Sequence, residues 1–434
     1  MKKLLLLLAV LLLAALPALA EVEITLTAAP CRLDYDFTVP GQNFVYLTFK
    51  NNYQQGSMTL YSEDYHYAGS IDLVSSYKGG LTNVTLQNVH LQTIGKGRIE
   101  LPADESYPIP TGNSDVRVQN LKLIETPEGF IYSFNAPGAD FMLLDCHSRQ
   151  EDFTLPVYPI DDEGNFMGKV TMPLTYARTQ MTISVCNFKG HVKKDAICYK
   201  GYEAPAKPEI QPGRLSGLVV CIDPGHQEQT KFVSEPRGPG WTQKSSTTPG
   251  MALGTHTLRR ESIVVLEIAM KLRDALMAEG ATVVMTREIQ DTFVSNIERA
   301  DIAANAGAHI LLRLHCDNSS QQNRTGINIY IPRDSEYAKA VADQPTYEHM
   351  GQLLLDQMKT AVGYDLIEHT GVVRANNNYI GSNWAQMPCF LIEMGFMSNK
   401  REDLLLAHPT YQQWLAEGMV NGIYDVAVFR GILQ

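Results

Sequence analysis

The chain repeats itself. At a shift of 97 residues, Pro30, Tyr35, Phe37, Pro40, Gly41, Phe44, Leu47, Tyr61 and Asp64 fall on Pro127, Tyr132, Phe134, Pro137, Gly138, Phe141, Leu144, Tyr158 and Asp161. After a slip of two positions, Gly69, Tyr77 and Asn88 fall on Gly168, Tyr176 and Asn187. Self-similarity at a fixed period means one folding unit used twice, so whatever the first copy folds into, the second must fold into as well.

Within both copies, apolar and polar residues alternate between turn residues, as in "NFVYLTFKNN", "LTNVTLQNV" and "QMTISVCN", and helical patterns are few. The expectation is two tandem all-β sandwiches of immunoglobulin-like or fibronectin-like size, over residues 21–110 and 111–202. The shared tyrosines and phenylalanines then belong to the inward face of each sandwich, because they alternate with polar neighbours. The repeat therefore speaks to architecture and not to a ligand.

The stretch "EAPAKPEIQPGR", residues 203–214, has three prolines and little apolar content, and reads as a stiff extended linker. Beyond it, over 215–434, apolar strands alternate with long amphipathic segments, the pattern of an α/β domain with a mostly parallel sheet flanked by helices.

The compartment limits the chemistry. "MKKLLLLLAVLLLAALPALA", residues 1–20, joins two lysines, an apolar run and small residues at Ala18 and Ala20, the three parts of a secretory signal peptide. The apolar run is short for a membrane span, and no later stretch is long and apolar enough, so no stable membrane insertion is expected after cleavage. Cleavage removes two of the 36 basic side chains and none of the 47 acidic ones, leaving a net charge of about −13, which argues against nucleic acid as a partner. Seven scattered cysteines without a CxxC do not make a disulfide framework. At most Cys186 pairs with Cys198 or Cys146. Cys221, Cys316 and Cys389 read as buried thiols in strands.

The catalytic candidates lie in the second half. "GLVVCIDPGH" is a short apolar strand ending in a tight turn, with His226 just beyond it, and "AHILLRLHCD" has a strand from Ile310 to Leu314 carrying His315 at its end. Carboxyl ends of strands are where open α/β sheets build sites. A single strand-end histidine is ordinarily a hydrogen-bonded structural residue; two at one sheet edge suggest a shared ligand. In "RRESIVVLEIAMKLRDALMAEG", Val264, Ile268 and Leu272, widened by Val265, Ala269 and Leu276, form a helical stripe ended by Gly280, and Glu261 stands in the first turn. There it either complements the helix dipole or serves as a third ligand. Two imidazoles and one carboxylate make the open tetrahedral site of a catalytic zinc. In "MPCFLIEMGFMSN" a buried strand is broken by Glu393, whose carboxyl burial should raise, as a general acid and base near neutral pH requires, unless an arginine pairs with it.

"VVCIDPGH", the helix-starting Glu261, "VVMTRE", "LLRLHCDNS" and "MPCFLIEMGFMSN" occur in an order and spacing that resembles the zinc-dependent N-acetylmuramoyl-L-alanine amidases, over roughly 217–428. The resemblance implies that His226, Glu261 and His315 hold Zn2+, that Glu393 is the catalytic acid/base, and that the substrate is peptidoglycan. It implies a secreted, cell-wall-associated hydrolase that cuts the amide between N-acetylmuramic acid and L-alanine. The sequence departs from the family's pattern in the long Gly-, Ser- and Thr-rich loop 227–260. That loop leaves Glu267 as a competitor to Glu261 and His256 as a residue that could approach the metal. Cys316 stands where the family has alanine, and strand alternation turns its side chain to the core. Two other functions fit the same residues: a zinc peptidase acting on stem-peptide bonds, against which no HExxH or HxxE motif is present, and a cell-wall-binding protein with an accessory amidase domain.

Overall fold

The computed structural model describes residues 22–433 apart from 53–54, 74–78, 105–115, 127–128, 140–141, 148–151, 172–179, 187–191, 199–205, 228–230, 247–250, 258, 291 and 364–370. The signal-peptide reading of residues 1–20 and the first part of the linker, 203–205, fall outside the described residues, as do Tyr77, Phe141, Tyr176 and Asn187 of the repeat. The chain divides into two compact units, Met1–Ile109 and Pro110–Gln434.

The first unit holds β1 (Thr25–Ala29), β2 (Arg32–Thr38), β3 (Phe44–Lys50), β4 (Gln55–Tyr61), β5 (His66–Asp72), β6 (Gly80–Gln87) and β7 (Thr93–Leu101). They form two antiparallel sheets, in the orders β1-β2-β5 and β4-β3-β6-β7. The second unit begins with β8 (Gln119–Thr126), β9 (Gly129–Asn135), β10 (Met142–His147), β11 (Asp152–Val157), β12 (Asn165–Thr171), β13 (Gln180–Cys186) and β14 (Val192–Cys198). Their sheets run β12-β9-β8 and β11-β10-β13-β14, which is the same arrangement position for position.

The sequence repeat has a physical reason at several of its positions. Tyr35 lies across from Gly69 in the β2–β5 ladder, and Tyr132 across from Gly168 in β9–β12. In both copies the tyrosine ring covers the glycine so closely that an added Cβ would come 2.5 Å from the phenol oxygen. The Pro-Gly turns place Gly41 at φ 77° and Gly138 at φ 79°, a conformation that disfavours any side chain. Asp64 and Asp161 each accept main-chain N–H groups at the entry to the fifth strand, from His66 in one copy and Asn165 in the other. Tyr35, Phe37, Phe44, Leu47, Tyr132, Phe134 and Leu144 are buried. Tyr158 corrects the expectation of an inward aromatic face: it is 47% exposed, whereas Tyr61 in the first copy packs on Phe44.

The α/β part has a six-stranded sheet in the order β18-β15-β19-β22-β20-β21. The strands are β15 (Val219–Pro224), β18 (Thr282–Met285), β19 (Ile310–Asp317), β20 (Asn328–Ile331), β21 (Val373–Ala375) and β22 (Cys389–Phe396); β16 (Ser234–Pro236) and β17 (Lys244–Ser246) form a separate hairpin. Every neighbouring pair in the large sheet is parallel except β20 with β22, so the mostly parallel sheet is a mixed one. The helices are α1 (Glu261–Ala278), α2 (Asn296–Asn305), α3 (Glu336–Val341), α4 (Gln344–Val362), α5 (Ile380–Asn383), α6 (Lys400–Leu406) and α7 (Pro409–Phe429). The stripe expected on α1 is buried along its length and faces β15, β19 and α7. α4 and α7 lie in close contact because Gly418 and Gly422 admit the backbone of Met358 and Leu354, where any Cβ would come 2.7 Å from a Cα.

The described end of the linker is not a free spacer. Lys207 pairs with Glu288 at 2.8 Å, the Gln211 N–H donates to the Met277 carbonyl, and Arg214 reaches Glu279 and Asn421. Proline stiffness alone does not reveal such docking, because the partners lie 65 to 207 residues away. Cys221, Cys316 and Cys389 are buried in β15, β19 and β22 as expected. The suggested disulfides are not formed: Cys146 is a free thiol pushed up to about 12 by burial and the Asp145 charge. The β13–β14 register, Cys186 with Val192 and Gln180 with Cys198, sets Cys186 and Cys198 at opposite ends of the ladder.

Candidate metal centre and active-site cleft

β15 ends at Pro224, and the chain turns through Gly225 to His226, whose φ of 56° is a left-handed conformation that a histidine adopts only under constraint. The constraint is visible. Arg287 donates to the carbonyls of Pro224 (2.9 Å) and Gly225 (2.7 Å), and Arg299 donates to that of His226 (3.3 Å). Gly225 lies against the His315 ring with no room for a Cβ. β19 runs past the expected Leu314 to Asp317, so His315 sits inside the strand, beside an irregularity in its pairing with β22. Its register partner on β22 is Glu393, and in parallel strands such partners share a face. Glu393 does not end its strand: all eight residues of β22 are buried, and the charge is enclosed.

Glu261 is the first residue of α1, where an acid complements the helix dipole, and it is only 3% exposed. Main-chain N–H groups hold both of its oxygens, Ala252 at 2.8 Å to Oε2 and Cys316 at 3.1 Å to Oε1. The same oxygens lie 3.1 Å from His226 Nε2 and 3.0 Å from His315 Nδ1. The imidazole rings stand edge to face, 5.0 Å apart. Each of the three residues offers a ligand atom within 4.8 Å of the others, so the group could hold a metal ion. Neither competitor joins it. Glu267 is engaged by Arg259 and Gln412, and the His256 main chain is held by Asp403.

The group opens on a cleft of about 590 Å³ that Glu393 also lines. Among the described residues, no protein atom hydrogen-bonds His315 Nε2 or Glu393 Oε2, although both are buried. Buried polar atoms are rarely left so in native proteins, and a metal ion with its water would satisfy both. The donor set, two imidazoles and a carboxylate on one side of an open cleft, suits a borderline-soft divalent ion with a vacant position. Charges are arranged to match. Burial would raise the Glu261 carboxyl, but the two histidines outweigh it and hold the group below the usual range. Burial raises Glu393 well above that range, and the Glu261 and Asp317 charges add to it, against a partial opposition from Arg313. Burial also pushes His315 down, favouring the neutral imidazole that binds metal. The Cys316 thiol is buried, and burial and the nearby carboxylates raise it, although Cys316 also lines the cleft.

Sequence reasoning assigned nothing to the layer beneath. Asp223 is fully buried and accepts from Arg299 (2.5 Å), Arg313 (2.8 Å) and Thr286 (2.6 Å). Arg313 continues to Asn296 at 3.2 Å, and both line the cleft. The signal was present: an arginine within "ILLRLHC" and an aspartate at the end of "VVCID" are charges inside apolar strands, and each must have a partner.

Residues 220–425 match the family model described as N-acetylmuramoyl-L-alanine amidase. That part of the chain is a domain of this family. Among curated relatives of the amidase domain is the "Probable cell wall amidase LytH" of Staphylococcus aureus, 26% identical over 209 residues, 48% of this chain. The chain spans 58% of that relative's length. Similar solved structures include Ami1 of Mycobacterium smegmatis, at 20% identity and a TM-score of 0.44, covering 50% of this chain and all of that one. Another is an amidase of Clostridium difficile 630, at 25% identity and a TM-score of 0.37, covering 48% of this chain and 95% of that one.

Proposed function

We propose that the protein is a secreted peptidoglycan hydrolase that cleaves the amide between N-acetylmuramic acid and L-alanine, with His226, Glu261 and His315 holding zinc and Glu393 as general acid and base. The observation that carries this is the unsatisfied pair, His315 Nε2 and Glu393 Oε2, buried beside one preformed two-histidine, one-glutamate group. Zinc bound there would supply Lewis-acid activation of water and of the lactyl carbonyl. Glu393 accepts a proton from the attacking water and returns it to the departing nitrogen of L-alanine, so that the C–N bond breaks into a carboxylate and a free amine. Its raised carboxyl keeps proton transfer within reach of neutral pH once a nearby cation opposes that rise. Main-chain donors from Ala252 and Cys316 keep Glu261 in place without a further side chain.

The two β units are read as tandem immunoglobulin-like or fibronectin-like sandwiches over 21–110 and 111–202, supported by their shared order of first, second and fifth strands in one sheet and the remaining four in the other. The apolar leader at residues 1–20 and the amidase domain together support export to the cell wall.

The test is mass spectrometry of purified peptidoglycan digested with the full chain. Free muramic lactyl groups and stem peptides beginning with an L-alanine amine are expected. Glu393→Gln should lower turnover about 10²- to 10⁴-fold with zinc retained. Products cut within the stem peptide would instead make the protein a peptidase.

A further inference from the structure

The cleft does not end at the metal group. It continues along a wall made by Lys231, Phe232 and Phe293. Phe232 is 80% exposed, more than any other large hydrophobic residue among those described. The wall is anchored at both ends. The Gln227 amide exchanges two hydrogen bonds with the Val294 main chain, at 2.9 and 3.2 Å. Glu235, only 4% exposed, accepts the N–H groups of Asn296 and Ile297 at 3.2 and 2.9 Å. Between these anchors the Lys231 ammonium stands 5.1 Å from the centre of the Phe293 ring. Phe232 thus stands three residues before the anchored Glu235, an exposed aromatic beside the cleft.

We propose that this wall is a glycan-side subsite in which Phe232 stacks on the pyranose ring of an N-acetylhexosamine next to the scissile muramic acid. The proposal rests on the reading of the site as a peptidoglycan amidase. A pyranose presents one face of C–H groups rimmed by hydroxyls, which matches a flat apolar ring with polar neighbours. The wall is carried by the segments that follow β15 and β18, on one side of the metal group, while β20 and β21 lie on the other. That other side carries exposed Arg374, in register with Tyr330. On the wall itself the rings of Phe232 and Phe293 offer the apolar face that a neutral sugar matches.

The experiment uses the full, zinc-loaded chain, its Phe232→Ala and Phe232→Trp variants, and two readouts. The first is binding of an N-acetylglucosamine tetramer, which carries no peptide. Phe232→Ala should weaken it roughly tenfold, and Phe232→Trp should restore it. The second is hydrolysis of a muramoyl peptide carrying one sugar against one carrying several. Phe232→Ala should raise KM on the longer glycan about tenfold more than on the shorter, with kcat little changed. Absent tetramer binding in the parent chain, unaltered binding in Phe232→Ala, or equal losses on both substrates would overturn the subsite, the last by placing peptide on the wall. Failure of the parent chain to hydrolyse either substrate, with tetramer binding lost in Phe232→Ala, would count against the amidase reading and leave the glycan subsite standing.

Discussion

Asp223 has no exposed surface and sits between the guanidinium groups of Arg299 and Arg313. Burial alone would raise its carboxyl; the two arginines and the Thr286 hydroxyl outweigh that and hold it far below the usual carboxylate range. A group depressed in the folded state contributes stability that is present above its unfolded value of about 3.9 and is lost as pH falls through the folded value. Acid unfolding of the amidase domain below about pH 4 should therefore draw on Asp223. Asp223→Asn leaves two buried cations facing an amide and should cost about 3–5 kcal/mol at pH 7, while flattening the fall in stability below pH 4. Urea unfolding of both proteins at pH 7 and at about pH 2.5 measures this, and equal stability losses at the two values would remove Asp223 from the explanation. At this scale His226 and His315 were legible because a polar side chain ends or interrupts an apolar strand. The arginines that hold the His226 turn were not, since an arginine on a helix or after a strand reads the same whether it faces solvent or a carbonyl.

The loop 227–260 reads in sequence as a long Gly-, Ser- and Thr-rich departure from the family's pattern, and much of its described part is fixed. Asn383 donates to the Arg237 carbonyl and Trp384 to that of Pro236, the Thr255 N–H reaches Met397, and Asp403 accepts from His256 and Thr257 at 2.6 to 2.8 Å. Asp403 and Trp384 lie more than a hundred residues beyond the loop, so composition could not show the anchoring. The loop reaches the metal group itself, because Ala252 supplies one of the two N–H groups that orient Glu261. Asp403→Ala should release the 254–257 turn and weaken zinc binding roughly 10- to 100-fold, the range for lost outer-shell support. Competition with a chelating dye reads this, with circular dichroism as the check on folding; unchanged affinity would mean that the Glu261 contact does not depend on the anchor. By contrast α1 was legible along its whole length, since its four-residue periodicity and terminal glycine are local properties.

Across the whole molecule, the repeat at 97 residues and the change of pattern after the prolines marked out two β units and an α/β part before any contact was known. The mixed character of the large sheet was hidden, because strand direction depends on long-range connections that leave no local trace. The docking of residues 207–214 bears on how the chain can be cut. A fragment of residues 206–434 keeps the Lys207–Glu288 pair and the Gln211–Met277 hydrogen bond, and should fold, bind zinc and hydrolyse soluble muramoyl peptides. Its loss relative to the full chain should appear on intact cell walls. Inactivity of the folded fragment on soluble peptides would make the β units part of the catalytic machinery.

A zinc site at His226, Glu261 and His315 underlies the proposed chemistry. Elemental analysis of the purified chain, before and after His315→Ala, tests it most directly. One zinc per chain is expected in the parent protein and almost none in a variant whose circular dichroism is unchanged, because a two-ligand remnant binds weakly. Full zinc occupancy in His315→Ala, or a parent chain that takes up no zinc at all, would contradict it.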